Sequence, residues 1–190
     1  NIKMIDSVSI LGYFIRPLLE KDISDEYLSW FDDDDVTRFL EVNKDNSITS
    51  IEDLIYYVRS FEYKKDYLFG IFHNKNHIGN LTINTIDINR GIFDMGYLIG
   101  NKNYWGERAG EAALVAGLRF AFEELKLRKI FGGIYSTNLS ARFLSKKIGF
   151  IEEARLKEKG YVDGKLDDAI IYTMTKDQWK YIGKKYEFKF

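Results

Sequence analysis

Residues 97–120 combine an apolar run, a polar loop with two glycines and an apolar helical segment. The run Tyr97–Ile99 predicts a buried strand, and the loop after it contains Gly106 and Gly110. From Glu111 onward the chain is rich in Ala and Leu, which predicts a buried helix. The first-turn N–H groups of a helix lack partners within it, and the helix dipole is positive there. The segment therefore predicts a site for a phosphate-bearing ligand.

The spacing of the glycines narrows the kind of phosphate site. Neither Gly-Lys-Ser/Thr nor G-x-G-x-x-G is present in this loop. Residues 104–113 read YWGERAGEAA and resemble the acetyl-CoA pyrophosphate loop of the GNAT N-acetyltransferases, in the branch related to RimJ and RimL. That loop commonly reads Y-W-G-K-G-Y-[GA]-T-E-A. This chain departs at Arg108, where the family usually has Gly, and at Glu111-Ala112, where Thr-Glu is common. Arg108 could crowd the backbone or add a contact to phosphate.

A second motif, NLSARFLSKKIGF at residues 138–150, resembles the GNAT signature N-x-x-A/S-x-x-x-Y-x-K-x-G-F. The matching residues are Asn138, Ala141, Lys147, Gly149 and Phe150. Ser145 stands where the family often has a general-acid Tyr. Two interpretations stay open: Ser145 protonates the leaving CoA thiolate, directly or through water, or it is an ordinary polar residue on the helix surface. Weaker likeness continues to Met174, so the resemblance implies a single domain over residues 1–190.

The resemblance implies a reaction in which an amine attacks the thioester of acetyl-CoA directly, without an acyl-enzyme. The absence of cysteine agrees with that mechanism. A backbone N–H near Leu98 or Ile99 would face the carbonyl oxygen. The implied contacts to acetyl-CoA are Leu98, Ile99, Gly100, Trp105, Gly106, Glu107, Arg108, Ala109, Gly110, Asn138, Ala141 and Ser145.

The base that deprotonates the amine is expected on the strand before the loop. Family members often carry Glu in the motif A-E-I-G-Y, and this chain reads FDMGY from Phe93 to Tyr97, which puts Asp94 in that place. A shorter carboxylate can act through a water. Alternatively, Asp94 organises the strand edge or contacts the acceptor, and Glu41 is then the second candidate for the base.

The four aspartates of residues 32–35 suggest either a cation site or a solvated turn that caps a helix. The second interpretation is favoured, because charge runs are usually solvated and acidic residues stabilise helix N-termini. In the family this region commonly shapes the acceptor pocket. The acceptor-side candidates are Trp30, Phe31, Glu41, Asp94 and Tyr135. His73 and His77 flank a predicted turn and are expected to be solvated, and no metal site is predicted.

The sequence contains least information about the identity of the amine acceptor. The resembled branch includes enzymes that act on protein N-termini, on polyamines and on amino sugars. We expect a small-molecule amine, such as a polyamine or an amino sugar nucleotide, with a peptide N-terminus as the alternative. A non-catalytic acyl-CoA-binding module is the rival class, supported by Arg108 and Ser145. A structural protein that binds no CoA is a more distant third.

Composition sets further bounds on the function. The chain has 190 residues, of which 45% are hydrophobic, so it can bury a sizeable core. Its formal net charge is -1, which gives no reason to expect nucleic acid or an anionic membrane as a partner. Without cysteine, disulfides and thiolate metal sites are excluded, and a cytoplasmic enzyme is expected. No apolar run reaches the ~18–20 residues of a membrane span. We expect a monomer or a homodimer.

The elements that must position these residues follow from periodicity and turn residues. They predict an α/β (α+β) GNAT fold: a central mixed, mostly antiparallel twisted sheet flanked by helices, with acetyl-CoA at a splayed strand pair. The predicted strands are Ser9 to Pro17, Asp66 to Phe72, His77 to Ile88, Gly91 to Ile99, Leu127 to Tyr135, Phe150 to Lys159 and Asp168 to Lys176. The predicted helices are Glu20 to Trp30, Ser50 to Tyr63, the segment from Glu111 and Leu139 to Ile148.

Overall fold

The computed structural model describes residues 7–40 and 48–190, which form an open eight-stranded sheet flanked by helices. The strands are β1 Val8–Ile10, β2 Tyr13–Pro17, β3 Tyr67–His73, β4 Asn76–Asp87, β5 Ile92–Ile99, β6 Lys129–Tyr135, β7 Ile151–Val162 and β8 Lys165–Thr175. Their order in the sheet is β1-β2-β3-β4-β5-β6-β8-β7. Neighbours are antiparallel except β5 and β6, which are parallel. The predicted mixed, mostly antiparallel sheet is confirmed.

The helices are α1 Asp25–Ser29, α2 Asp34–Thr37, α3 Ile51–Arg59, α4 Ala109–Arg119, α5 Leu139–Ile148 and α6 Lys176–Ile182. A capping box begins α3, in which Ser50 and Asp53 each accept the other's backbone N–H. Gly149 ends α5 at a φ of 118°, the left-handed conformation with which glycine commonly ends a helix. The helix α4 is almost entirely buried, as its composition predicted.

Two predictions near the N-terminus are wrong. Ser9 to Pro17 is not one strand, because Leu11 and Gly12 adopt positive φ values of 52° and 85° and fold the segment into the hairpin β1–β2. Leucine is an uncommon residue at positive φ, so Gly12 is a single turn signal within an apolar run that otherwise favours a continuous strand. The predicted helix Glu20 to Trp30 is divided, because a 3-10 turn at Glu20–Asp22 precedes α1, whose N-terminus Ser24 caps.

Two cores lie on opposite faces of the sheet. Along β3, Phe69 and Ile71 belong to one core and Leu68 and Phe72 to the other, because side chains alternate across a strand. The core that contains Phe69 packs against α4, whereas the core that contains Leu68 packs against α1, α2 and α3. Each face of the sheet thus has its own helical layer.

A fork opens between the parallel strands β5 and β6. Their paired residues are Ile92 with Lys129 and Phe93 with Ile130, at the first residues of both strands. Beyond that point the described residues show no further β5–β6 pair, although both strands continue. A bulge in β4, with Thr85 at a φ of 47°, lies beside the point of divergence and bends the strands there. The predicted splayed strand pair is therefore present.

Candidate active site

Three of the side-chain hydrogen bonds that hold the loop from the end of β5 to α4 involve aromatic residues. The Tyr13 hydroxyl donates to the carbonyl of Glu107 at 2.7 Å. The Trp105 indole Nε1 donates to the carbonyl of Ile99 at 2.8 Å. The third joins the Tyr104 hydroxyl and Nδ1 of His73 at 3.1 Å. These bonds fix the loop against β2, β3 and the end of β5, so the backbone before α4 is rigidly placed.

Arg108 precedes α4 as its N-cap and adopts a left-handed φ of 63°. Glycine adopts this conformation without strain, which accounts for the Gly usual in the resembled loop. The guanidinium of Arg108 is engaged by Glu111, with Nε 2.9 Å from Oε2 and Nη2 3.1 Å from Oε1. The Arg108 side chain makes no capping hydrogen bond, which leaves the first-turn N–H groups available to a ligand. Their dipole favours an anion.

Glu111 is the centre of a polar cluster that sequence reasoning missed. Its side chain is 3% exposed, yet its carboxylate also accepts hydrogen bonds from Lys147 Nζ on α5 and from the Tyr186 hydroxyl, both at 3.0 Å. The hydrogen bond from Arg108 outweighs burial and, with those from Lys147 and Tyr186, lowers the pKa of Glu111 to about 2. One ionised carboxylate therefore ties the loop, two helices and the C-terminal segment together.

The two glycines of the loop have different roles. Gly106 has a φ of 78° and open space where a Cβ would be, so it serves the turn conformation. At Gly110 an added Cβ would lie 2.9 Å from Cε2 of Tyr97 and 3.2 Å from Cδ2 of Leu144. Gly110 thus lets α4 pack closely against β5 and α5. A bulky side chain there would disturb protein packing before it reached a ligand.

Backbone direction separates the predicted contacts at the end of β5. The N–H of Gly100 donates to the carbonyl of Ile78 on the β4 side at 3.0 Å. Because backbone groups alternate along a strand, those of Leu98 also point toward β4, whereas those of Ile99 point toward the fork. The indole of Trp105 reaches the Ile99 carbonyl from that side. Ile99 is therefore better placed than Leu98 to offer an N–H to a molecule in the fork.

Asp94 lies at the base of the fork, directly after the last β5–β6 pair. Its Oδ1 accepts the backbone N–H of Met95 at 2.6 Å. The same oxygen is 3.4 Å from the place where Gly132 of β6 would carry a Cβ. The carboxylate therefore extends across the opening toward β6, where glycine leaves room for it.

One face of α5 carries the residues of the second motif. Asn138 caps the helix by accepting the N–H of Ala141 through its side chain at 3.2 Å. Ser145 follows Ala141 by four residues, so both lie on one face, and they are 3% and 8% exposed. The interpretation of Ser145 as a solvated surface residue is therefore wrong. Its predicted role in proton transfer stays a prediction.

The acceptor-side candidates are not all accessible. Trp30 is 4% exposed and packs between Tyr27 and His77, with ring centroids 5.0 and 4.9 Å away. It also covers Gly100 so closely that a Cβ there would lie 1.8 Å from Cδ2 of Trp30. Trp30 is thus mainly a core residue, and it also lines one side of a polar cleft of about 360 Å³.

The other acceptor-side candidates lie on several elements. Phe31 is half-buried, with its ring 5.8 Å from that of Tyr27. Tyr135 is half-buried at the end of β6, where its hydroxyl contacts Gly160 of β7. Glu41 lies outside the described residues. Asp94 thus lies at the base of the fork, and Tyr135 lies at the far end of β6, one of its two strands.

The aspartate run and the histidines have structural partners. Asp33 caps α2, and Lys102 Nζ lies 2.8 Å from carboxylate oxygens of both Asp33 and Asp35. Within residues 7–40 and 48–190, no group of three or more His, Cys, Asp or Glu is arranged to hold a metal ion. The expectation that His77 is solvated is wrong: its Nε2 lies 2.7 Å from Oδ1 of Asn80, and burial lowers its pKa.

Comparison with known proteins agrees with this geometry. A family model described as an acetyltransferase (GNAT) domain matches residues 13–151. The chain is 29% identical over 112 residues to a Bacillus subtilis (strain 168) protein named "Putative ribosomal N-acetyltransferase YdaF". That match covers 58% of this chain and 60% of the relative's length.

Solved structures share the fold across nearly the whole chain. Mycobacterium smegmatis RimJ in complex with CoA-disulfide superposes with a TM-score of 0.79 at 19% identity and covers 96% of each chain. Spermidine N-acetyltransferase from Vibrio cholerae, in complex with CoA and spermine, gives 0.77 at 18% identity and covers 89% of this chain and 98% of that one. These identities establish the fold alone.

The predicted fold and the predicted branch agree with these names. In the described part of the chain, no helix has both the length and the apolar character needed to cross a membrane. The fork of parallel strands, the loop before α4 and the match over residues 13–151 together show that the chain belongs to the GNAT acetyltransferase family.

Proposed function

We propose that this protein is an acetyl-CoA-dependent N-acetyltransferase in which an amine attacks the thioester directly. The observation that carries the proposal is the fork between β5 and β6, with the carboxylate of Asp94 at its base. A parted strand edge offers backbone N–H and C=O groups to the amides of a ligand. Two structural neighbours contain CoA or a CoA disulfide, which supports CoA as the ligand type.

The proposed cofactor contacts run from the loop into the fork. The backbone N–H groups from Trp105 to Gly110 hold the pyrophosphate at the positive end of α4. The backbone of Ile99, which points toward the fork, pairs with the pantetheine amides. The α5 face of Asn138, Ala141 and Ser145 contacts the thioester end. The loop bonds of Tyr13 and Trp105 support this role, because they fix the backbone before a ligand arrives.

Amide formation requires the ammonium nitrogen to lose two protons and the departing sulfur to gain one. Asp94 takes a proton from the ammonium form of the acceptor, directly or through a water, because the free amine is the nucleophile. The N–H of Ile99 stabilises the negative charge that develops on the carbonyl oxygen during attack. Collapse then breaks the carbon–sulfur bond, and Ser145 passes its hydroxyl proton to the departing thiolate. The nitrogen, which carries an extra proton after the attack, returns a proton to Ser145 through a water. The amide product keeps the acetyl group, and the free thiol leaves.

The proposed acceptor is a small-molecule amine, such as a polyamine or an amino sugar nucleotide. The neighbour named as a spermidine N-acetyltransferase supports the polyamine. A protein N-terminus is the second candidate and fits equally well, because a sequence relative carries the ribosomal N-acetyltransferase name. Both acceptors present a primary amine that is protonated at neutral pH, so both need the base that Asp94 offers.

The test measures thiol release from acetyl-CoA with spermidine, amino sugar nucleotides and N-terminal peptides, alongside thermal melting with CoA. Turnover with one class identifies the acceptor, because CoA-dependent stabilisation alone reports binding. Stabilisation without turnover would favour the non-catalytic binding module instead.

A substitution at the fork tests the assigned base. Asp94→Asn should lower kcat about 10²-fold or more and remove the acidic limb of the pH–rate profile, with little change in CoA affinity. Asp177→Asn, at an exposed carboxylate on α6 paired with Lys180, is the matched control and should change neither. An unchanged pH–rate profile in Asp94→Asn would exclude Asp94 as the base.

A further inference from the structure

An exposed ion pair joins two segments that lie at the far ends of β5 and β6, the two arms of the fork. Nη2 of Arg38, which follows α2, lies 2.7 Å from Oδ2 of Asp163 at the tip of the β7–β8 hairpin. The two residues are far apart in sequence, and their side chains are 47% and 56% exposed. The contact therefore joins two surface segments that pack on different parts of the protein.

Each partner belongs to a different arm of the fork. The α1–α2 segment sits on the far end of β5, where Trp30 covers Gly100 and Lys102 binds Asp33. The β7–β8 hairpin sits on the far end of β6, where Gly160 contacts the Tyr135 hydroxyl. Since β5 and β6 diverge toward these ends, the ion pair spans the open side of the fork.

The ion pair lies on the same side of the sheet as Asp94. Phe93 belongs to the core under α4, and Met95 contacts the α4 residue Gly117. Because side chains alternate along a strand, Asp94 points to the opposite face, which the α1–α2 segment covers. Arg38, which follows α2, is therefore on the face to which Asp94 points.

We propose that Arg38 and Asp163 form a strap that closes the acceptor entrance of this site, a role that rests on the proposed acetyltransferase function. Both ends of the strap are anchored: Val36 of α2 is 7% exposed and Val162 of the hairpin is 6% exposed. The contact between the anchored segments is exposed and worth little energy, so it can open to admit an acceptor and close behind it. A closed strap retains a bound amine.

The first experiment measures how accessible the base of the fork is to a reagent, and it needs no enzymatic turnover. The chain has no cysteine, so Asp94→Cys introduces a single thiol at the base of the fork. Its labelling rate is measured with a bulky fluorescent maleimide and with the smaller iodoacetamide. The ratio of the two rates reports access for the bulky reagent, because a change in thiol pKa affects both rates alike. Arg38→Asp should raise this ratio about two- to five-fold, the range expected for loss of an exposed ion pair. Equal ratios with and without Arg38→Asp would overturn the strap.

A charge swap provides the rescue. The double variant Arg38→Asp with Asp163→Lys should restore the original ratio, since Lys75 and Lys126 already show that this fold accepts lysine at positive φ. Arg59→Asp breaks an exposed ion pair with Glu20, also far apart in sequence, and should leave the ratio unchanged. Failure of the swap to restore the ratio, or an equal effect of Arg59→Asp, would refute the assignment.

The second experiment uses the wild-type Asp94 background and the acceptor found by thiol release. Arg38→Asp should raise the KM of the acceptor about two- to five-fold and leave the KM of acetyl-CoA unchanged, and the swap should reverse the effect. A changed labelling ratio in a protein that shows no turnover would keep the strap and reject the proposed function. An unchanged acceptor KM in an active enzyme would reject the strap as an acceptor device.

Discussion

Replacement of Glu111 by Gln tests whether an ionised carboxylate holds the start of α4. Gln keeps the shape of the side chain and one acceptor oxygen, but it presents an amide group to one of the cations. Arg108, Lys147 and the Tyr186 hydroxyl all donate to this carboxylate within 3.1 Å. The substitution therefore removes the negative charge of the Glu111 carboxylate and leaves the packing almost unchanged.

The expected loss follows from the pKa of Glu111, which falls from 4.5 to about 2. Each unit corresponds to about 1.36 kcal/mol, so the upper bound is about 3 kcal/mol. The side chains of Arg108 and Lys147 are 53% and 47% exposed, and solvent weakens their attraction. We expect Glu111→Gln to lower the free energy of unfolding at pH 7 by about 2 kcal/mol. The corresponding fall in Tm is about 4–8 °C for a chain of this size.

The pH dependence has a definite sign. A carboxylate whose pKa is lower in the folded state stabilises the protein above its unfolded pKa, and this contribution disappears as the pH falls through the folded pKa. The free-energy difference between wild type and Glu111→Gln should therefore be constant from pH 8 to pH 5 and shrink by more than half at pH 3. Urea unfolding at pH 7, 5 and 3 measures it. Glu62→Gln, at an exposed carboxylate paired with Lys65, is the control and should change stability by less than about 0.5 kcal/mol. A difference that persists undiminished at pH 3 would refute the ionic explanation.

Three further substitutions probe the positions of other residues. Gly100→Ala would place a Cβ 1.8 Å from Trp30, so it should cost about 1–3 kcal/mol and change the near-UV circular dichroism; native spectra and Tm would contradict the packing. Asp167→Asn removes a carboxylate that is 8% exposed and accepts the Ser136 hydroxyl at 2.5 Å, so urea unfolding should show a loss of about 1–3 kcal/mol. Ser145→Ala should lower kcat about 10²-fold while Tm changes little, and unchanged kcat would leave Ser145 as a packing residue.

Local patterns in the sequence predicted the part of the fold that surrounds the site. Alternating strands and turn residues located the meander β3–β5, and Gly149 marked the end of α5. The composition of α4 predicted its burial. These features depend on residues close together in the chain, so a sequence can reveal them. The turn at Leu11 and Gly12 has a weaker signal, a single glycine within an apolar run, because leucine rarely adopts a positive φ.

Contacts between distant residues account for most of what the sequence did not reveal. His77 is surrounded by the rings of Tyr27, Trp30 and Phe72, which come from α1, the turn after it and β3. Nothing adjacent to His77 in the sequence announces that environment, so the default expectation of a solvated histidine was wrong. The burial of Trp30 has the same origin, since a glycine 70 positions later provides the surface against which it packs.

Two of the departures of the loop from the family pattern, Arg108 and Glu111, are explained by one contact. Arg108 stands where Gly is usual and Glu111 where Thr is common, and in the structure these two side chains bind each other at 2.9 Å. The positive φ of Arg108 reproduces the conformation that Gly would adopt, so the course of the backbone is kept. Glu111 in turn binds the guanidinium and recruits Lys147 and Tyr186. Considered alone, Arg108 suggested a damaged cofactor loop and supported the non-catalytic binding module. Considered with Glu111, it belongs to a compensated pair that stabilises the helix start, so that argument against catalysis no longer holds.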